Sequence, residues 1–242
     1  MDVTHISLKL PRLDPEFHGY RIVQISDIHM GSWISRRQLK EAIQIANDLL
    51  PDLITITGDF VTFNPEHQSK ILVEELSCLK PRQATLAILG NHDHGSRPHI
   101  VRRILAQSGI IDISNDLYTV YKGAAALHIA GIDDRLHKAD RLEHVLEQIP
   151  ASGAAILLAH EPDFIDIAAR CGRFDLQLSG HSHGGQIILP GIGSLFLPRM
   201  ARKYPSGLYQ QDGMFLYTNR GIGRVHIPIR YNCPAEITLF TF

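Results

Sequence analysis

The amino-acid sequence predicts an α/β fold with two sheets. Short apolar runs rich in β-branched residues alternate with amphipathic helical stretches through the first half. The chain turns β-rich after Gly184, and 242 residues suffice for one sizeable core. Such alternation implies parallel strands covered by helices, with ligands at the carboxyl ends of the strands. No internal repeat or low-complexity linker divides the chain, so residues 1–242 are read as a single domain.

Tyr20–Ser26 (YRIVQIS) is the first strand of the alternation, and Ser35–Leu50 follows as a helix. Leu39, Ala42, Ile43, Ala46 and Leu50 recur at spacings of three and four, and Pro51 stops the helix. Asp52–Thr57 is the next strand. Asn64 reads as an N-cap with Pro65 behind it, opening a helix through Leu79 with Ile71, Leu72, Leu76 and Leu79 inward. Ala84–Leu89 is a third strand. Ser96 reads as the cap of a helix carrying Ile100, Val101, Ile104 and Leu105, closed by Gly109. Tyr118–Tyr121 and Ala126–Ala130 flank a Gly-containing turn and predict a hairpin. Next come a helix near Lys138–Gln148, strand Ala154–Leu158, helix Pro162–Arg170 and strand Leu176–Ser179. Strands Gln186–Leu189, Met214–Thr218 and Glu236–Phe242 complete the chain.

A hydrophobic content of 44% with 20% charged residues suits a globular enzyme and excludes a disordered chain. The formal net charge of -1 supplies no global field for nucleic acid or anionic lipid, so basic recognition must be local. With no basic stripe and interleaved aromatics, a nuclease acting on long nucleic acid is disfavoured. Cys78, Cys171 and Cys233 are far apart and form no CxxC, and are expected as reduced, buried thiols. No stretch approaches the ~18 apolar residues of a membrane span. The N-terminal MDVTHISLKLP offers neither a basic leader nor an apolar signal core. The expected location is cytoplasmic or peripheral to the membrane.

Of 14 histidines, five stand where the chain has just left a strand. They belong to four of five short motifs at strand ends: Asp27-Ile28-His29, Gly58-Asp59, Gly90-Asn91-His92-Asp93, His160, and Gly180-His181-Ser182-His183. Five parallel strands would deliver these side chains to one edge of a sheet. In extended chain the i,i+2 pairs Asp27/His29 and His181/His183 would each point one way. Gly58, Gly90 and Gly180 permit close backbone approach. Singly, each motif is a commonplace turn or a satisfied core histidine; together they form a ligand set. Carboxylate, imidazole and one amide oxygen, with no thiolate, suit Mn, Fe, Zn or Co. Asp27, His29, Asp59, Asn91, His160, His181 and His183 exceed what one catalytic metal takes, so two divalent ions sharing a carboxylate are expected.

The order DxH, GD, GNHD, H, GHxH resembles the calcineurin-like metallophosphoesterase superfamily, from about Gly19 to the C-terminus. The resemblance implies a four-layer α/β/β/α sandwich of two mixed sheets flanked by helices. It also implies one metal on Asp27, His29, Asp59 and His183 and another on Asp59, Asn91, His160 and His181. Two such cations, about 3.5–4 Å apart, would lower the pKa of a bridging water, and the hydroxide would attack phosphorus in line. His92, not needed as a ligand, is the candidate general acid for the leaving oxygen. Asp93 either orients that imidazole or caps a backbone N–H. LLAHEPDFID, LQLSGHSHGGQI and LYTNRGIGRVHIPIRYNCPAEITL look like the bacterial branch of membrane- or cell-wall-associated phosphodiesterases. That branch includes an enzyme that hydrolyses the pyrophosphate of UDP-2,3-diacylglucosamine.

The implied activity is hydrolysis of a phosphodiester or pyrophosphate on a small or lipid-linked substrate. A phosphomonoesterase, a cyclic-nucleotide phosphodiesterase and a non-catalytic scaffold are the alternatives. Arg220 and Arg224 are candidates to contact a substrate phosphate, or ordinary surface arginines. Trp33 either walls the pocket or packs on the first helix. In GGQIILPGIGSLFLPRMARKY, apolar residues lead into Arg199, Arg202 and Lys203. The segment is read as a core strand followed by a solvated loop, the alternative being a lip on a membrane face. His67, His137 and His144 are placed on polar helix faces without a role.

Overall fold

A computed structural model describes residues 1–242. Its first sheet has the spatial order β1 (Asp2–Ser7), β14 (Glu236–Thr241), β2 (Arg21–Ile25), β3 (Leu53–Thr57), β4 (Ala84–Ile88), β5 (Ile111–Asp112). All neighbours in it are parallel except β14 with β2. The second sheet has the order β12 (Gly207–Gln211), β13 (Met214–Thr218), β9 (Leu176–Ser179), β8 (Ala154–Leu158), β7 (Ala125–Gly131), β6 (Leu117–Lys122). Its two edge pairs are antiparallel and its middle pairs parallel. A small hairpin of β10 (Ile188–Leu189) and β11 (Gly193–Ser194) stands outside both.

Three apolar layers bind these sheets into a helix, sheet, sheet, helix stack. On the outer face of the first sheet, Val23, Ile54 and Ala87 pack with residues of α1 (Arg36–Asp48), α2 (Pro65–Leu76) and α4 (Pro98–Gln107), the short α3 (Asn91–Gly95) preceding the last. Between the sheets, Ile22, Leu53 and Leu86 meet Leu127, Ile156 and Leu176. On the far face, Ala130, Leu157 and Leu216 meet α5 (Leu142–Gln148) and α6 (Ile165–Ala168). Both faces of the central strands are covered, which is why they read as unbroken apolar runs. Each fully buried Leu or Ile stabilises the stack by roughly 1.5–3 kcal/mol. Beneath the strand ends the filling becomes polar. Gln24 Nε2 on β2 donates to the Ser179 carbonyl at 2.9 Å and to Thr57 Oγ1 at 3.1 Å, fastening one sheet to the other.

Local chemistry departs from the sequence reading in several places. Ser35 caps α1 in a capping box with Gln38, as its position suggests. Asn64 does not cap α2: it takes a left-handed conformation with φ 46°, and the helix ends at Leu76 rather than Leu79. Ser96 closes α3 by donating to the Asp93 carbonyl, and α4 starts at Pro98. The stretch near Lys138–Gln148 is helical only from Leu142, and Pro162–Arg170 breaks into a 3-10 turn, the short α6 and a second 3-10 turn. Gln186–Leu189 supplies only the two residues of β10, while β1, β5 and β12 were not foreseen. Cys78 and Cys171 are exposed free thiols, and Cys233 alone is buried. His137 lies in a loop, its Nδ1 donating to the Asp134 carboxylate at 2.5 Å, not on a helix. No helix is long and apolar enough to cross a membrane.

Candidate metal centre and catalytic cleft

The five motifs do not leave one sheet. Asp27, Asp59 and Asn91 follow β2, β3 and β4 of the first sheet, while His160 and His181 follow β8 and β9 of the second. The site is therefore built where the carboxyl ends of both sheets meet. The expected extended geometry of the i,i+2 pairs is absent too. Asp27, His29, Asp59, His181 and His183 all have φ between 51° and 67°, left-handed values that non-glycine residues adopt at an energetic cost. The turn separates His181 from His183 instead of aligning them, and each joins a different group.

Donor atoms of Asp27, His29 and His183 lie within 4.8 Å of one another, and so do those of Asp59, His160 and His181. Asp59 joins the groups, its Oδ2 being 3.3 Å from His29 Nε2 and 3.2 Å from His160 Nε2. His29 and His183 bring their Nε2 atoms to 3.1 Å. Two ring nitrogens facing at that distance repel unless a proton or a cation lies between them. The outer nitrogens are held by neighbours: His160 Nδ1 donates to the Thr57 carbonyl at 2.6 Å, and His181 Nε2 donates to the Arg199 carbonyl at 2.9 Å. His29 Nδ1 pairs with Thr62 Oγ1 at 3.0 Å. Such partners fix the tautomer and turn a lone pair inward, as metal-binding imidazoles require.

Two further observations test whether the donors fit a metal. Asn91 Oδ1 is buried without a hydrogen-bond partner, and His160 Nε2, although near Asp59, has no aligned one. An orphaned buried oxygen costs about 1–3 kcal/mol unless something accepts its lone pair. Charge points the same way. Burial opposes ionisation of Asp27 and Asp59, yet the surrounding imidazoles, His183 foremost for Asp27 and His160 for Asp59, keep both carboxyls far below the usual range. Burial lowers His183 well below the ordinary imidazole value and His181 to about 4. Against burial, Asp59 raises His160 well above the ordinary imidazole value; the donor set itself, two carboxylates, inward-turned ring nitrogens and the orphaned Asn91 oxygen, fits divalent metal.

Comparison with known proteins agrees. A profile described as calcineurin-like phosphoesterase matches residues 20–185. An uncharacterized metallophosphoesterase, YkuE of Bacillus subtilis, is 34% identical over all of this chain and 85% of its own length. The chain belongs to the calcineurin-like phosphoesterase family. Phosphodiesterase YaeI of Escherichia coli is 29% identical over 91% of this chain and 81% of its own. Among solved structures, the Thermus thermophilus sulfate thiohydrolase SoxB shares the fold with a TM-score of 0.58 at 14% identity, over 87% of this chain and 53% of that one. As a member, this calcineurin-like phosphoesterase is a metal-dependent hydrolase of phosphoric esters.

The phosphoesterase opens to solvent through a cleft of about 590 Å³ whose floor includes Asp59, Asn91, His181 and His183. His92 stands at the same floor, edge-on to His29 with ring centroids 4.8 Å apart, and its backbone N–H donates to Asp59 Oδ1 at 2.8 Å. Burial lowers its imidazole, with Asp59 pulling the other way. Asp93 does not touch His92. Its carboxylate accepts from the N–H groups of Phe60, Val61 and Gly90, so it is a backbone cap and does not orient that imidazole. Trp33 is 46% exposed beside the cleft, in a groove it shares with Phe63 and His92, and does not pack into the first helix layer. Arg224 Nη1 donates to the Trp33 carbonyl at 3.1 Å, outside the cleft lining.

Arg220 is turned away from the cleft. It binds the buried Glu236 through its backbone N–H at 3.0 Å and Nε at 3.2 Å, and Tyr217 OH donates to the same carboxylate at 2.7 Å. Arg220→Ala in this phosphoesterase is expected to cost about 3 kcal/mol by stranding that charge, with turnover of the folded fraction close to wild type. Chemical denaturation against pH checks the pairing. Despite burial, Arg220 keeps the Glu236 carboxyl below its usual value, so its contribution is complete above about pH 4.5 and fades as pH falls further. A flat difference between wild type and variant across that fall would refute it. Reading the sequence missed Arg230, which donates to the carbonyls of Arg220, Gly221 and Gly223 and approaches His183 Nδ1 at 3.4 Å. No motif marks it, because its partners are backbone atoms of the loop it organises.

Proposed function

We propose that the protein hydrolyses phosphodiester or pyrophosphate bonds with two divalent metal ions, Asp27, His29, Asp59 and His183 holding one and Asp59, Asn91, His160 and His181 the other. The observation that carries this reading is the single Asp59 carboxylate reaching both donor groups, beside an Asn91 oxygen that nothing else satisfies. Bound there, divalent cations supply Lewis acidity at phosphorus and activate water at neutral pH. The chain's own residues bind and orient. Thr57, Thr62 and Arg199 hold three imidazoles at fixed rotation, and His92 stands where a proton is needed on the departing ester oxygen.

The cleft favours a diester over a monoester. No Lys or Arg lines it, so beyond the metal ions no cationic side chain meets the second negative charge of a monoester. Leu136, Ile187, Leu195, Phe196, Val225 and Ile227 instead make apolar walls beside the floor, room for a substituent on each side of phosphorus. With Mn²⁺ added, bis(p-nitrophenyl) phosphate is expected to turn over at least about tenfold faster than p-nitrophenyl phosphate, a difference of roughly 1.4 kcal/mol. Monoester preference would overturn the choice. His92→Ala is expected to keep wild-type metal content and to lose about 10²–10⁴ in kcat on an alkyl diester. The loss on a nitrophenyl ester should be far smaller, because nitrophenolate leaves without a proton. Equal losses on both esters would remove His92 as the acid.

A further inference from the structure

We propose that the mouth of the cleft is a docking surface for a bilayer face containing anionic phospholipid. Two segments form it. Ile192 comes from the turn of the hairpin after the GHSH motif and Leu195 and Phe196 directly follow it, while Ile227, Ile229 and Tyr231 come from the loop after β13. All six are large apolar side chains in solvent, from 42% exposed at Ile227 to 73% at Ile192. They are one surface, not scattered residues. Ile188 N–H donates to the Tyr231 carbonyl at 2.9 Å, Gln186 bonds the backbone of Val225 and Ile227, and Phe196 meets His226 edge-on at 5.8 Å. A contiguous apolar rim of this kind on a soluble face marks an interaction site. The sequence predicts a core strand followed by a solvated loop here; the hairpin is too short and too exposed for the strand.

Charge selects the occupant. The whole chain balances 24 basic against 25 acidic residues, and in this part of it Arg220 is held by Glu236 and Arg230 by backbone carbonyls. The side chains of Arg199 and Arg202, exposed a few residues past Phe196, pair with no carboxylate, although the Arg202 backbone N–H donates to Asp163 at 3.2 Å, whereas Lys203 pairs with Asp166. Apolar side chains followed in the chain by two arginines without ion pairs match the acyl boundary and phosphates of an anionic leaflet. A second copy of the chain would set like charge against like. On such a surface the cleft faces the headgroup layer. Taken with the phosphodiesterase reading, on which this step rests, the substrate class becomes a lipid-linked phosphodiester met at the membrane.

Co-sedimentation of the full chain with vesicles tests the surface. The probes are phosphatidylcholine vesicles with and without about a quarter phosphatidylglycerol, at low and at physiological salt. The wild type is expected to pellet with the anionic vesicles, less at higher salt, and to stay in solution with phosphatidylcholine alone. Ile192→Ser with Ile229→Ser, and separately Arg202→Gln, are expected to weaken binding about fivefold or more while leaving the melting temperature unchanged. A wild type that stays in solution with both vesicles overturns the proposal, as do folded variants that bind equally well. A wild-type dimer that the isoleucine substitutions dissolve would assign the rim to a second copy and overturn it too. Hydrolysis of bis(p-nitrophenyl) phosphate is read on the same preparation. Binding without hydrolysis upholds the surface and counts against the phosphodiesterase; hydrolysis without binding does the reverse.

Discussion

Replacing Asp59 with asparagine is expected to lower diester turnover by well over ~100-fold, beyond what is typical for a group that merely supports a ligand, and to empty both halves of the centre together. One carboxylate oxygen lies 3.3 Å from His29 and 3.2 Å from His160, one in each donor group. The other oxygen accepts from the His92 backbone at 2.8 Å and so also places the candidate acid. Asparagine keeps the shape and an acceptor for that N–H but removes a buried charge that both groups share. Asn91→Ala, touching one group only, is the comparison: it should cost less and leave the Asp27, His29, His183 group able to hold metal. Elemental analysis of the purified variants, alongside kinetics, decides the matter. An Asp59→Asn protein with full metal content and more than about a tenth of wild-type turnover would show that the carboxylate is not shared.

The donors were legible in the sequence because each stands directly after an apolar strand, and strand ends are where an open α/β sheet places its chemistry. Their division between two sheets was not. That depends on β14 inserting between β1 and β2, and on Gln24 tying β2 to Ser179, contacts between residues far apart in the chain. The imidazole partners were invisible for a different reason: Thr57 and Arg199 act through carbonyls, which every residue possesses. Asp93 and Arg220 were over-read because a charged residue beside a motif looks the same whether it faces substrate or backbone. The rim was misread since Ile187–Leu197 has the composition of a core strand, and composition does not reveal that nothing covers it. Its cations, Arg199, Arg202 and Lys203, stand in the sequence, but which of them is paired does not: Lys203 meets Asp166, far away in the chain.

Gly180→Ala carries the second large effect, and it acts on folding and on the centre through one methyl group. A Cβ at this position would lie 1.9 Å from Ser26 Oγ and 2.3 Å from Asp27 Oδ2. Neither atom is free to yield. Ser26 Oγ accepts from Thr57 Oγ1 at 2.7 Å, and Thr57 in turn accepts from Gln24, the residue that ties the two sheets. Asp27 accepts the His181 N–H at 3.1 and 3.0 Å while its carboxylate stands among His29 and His183. Overpacking so constrained a site costs roughly 3 kcal/mol, about 6–12 °C of melting temperature for a chain of this size. Gly95→Ala, where an added Cβ meets nothing within 4 Å, is the control and should melt with the wild type. Measured on metal-free protein, the fall isolates the steric term, and the metal uptake of whatever remains folded reports how far Asp27 has been displaced. Were Gly180→Ala to melt within about 2 °C of the wild type, less than the shift expected from 1 kcal/mol, the two sheets would have room to part here. The shared centre would then not depend on their close approach.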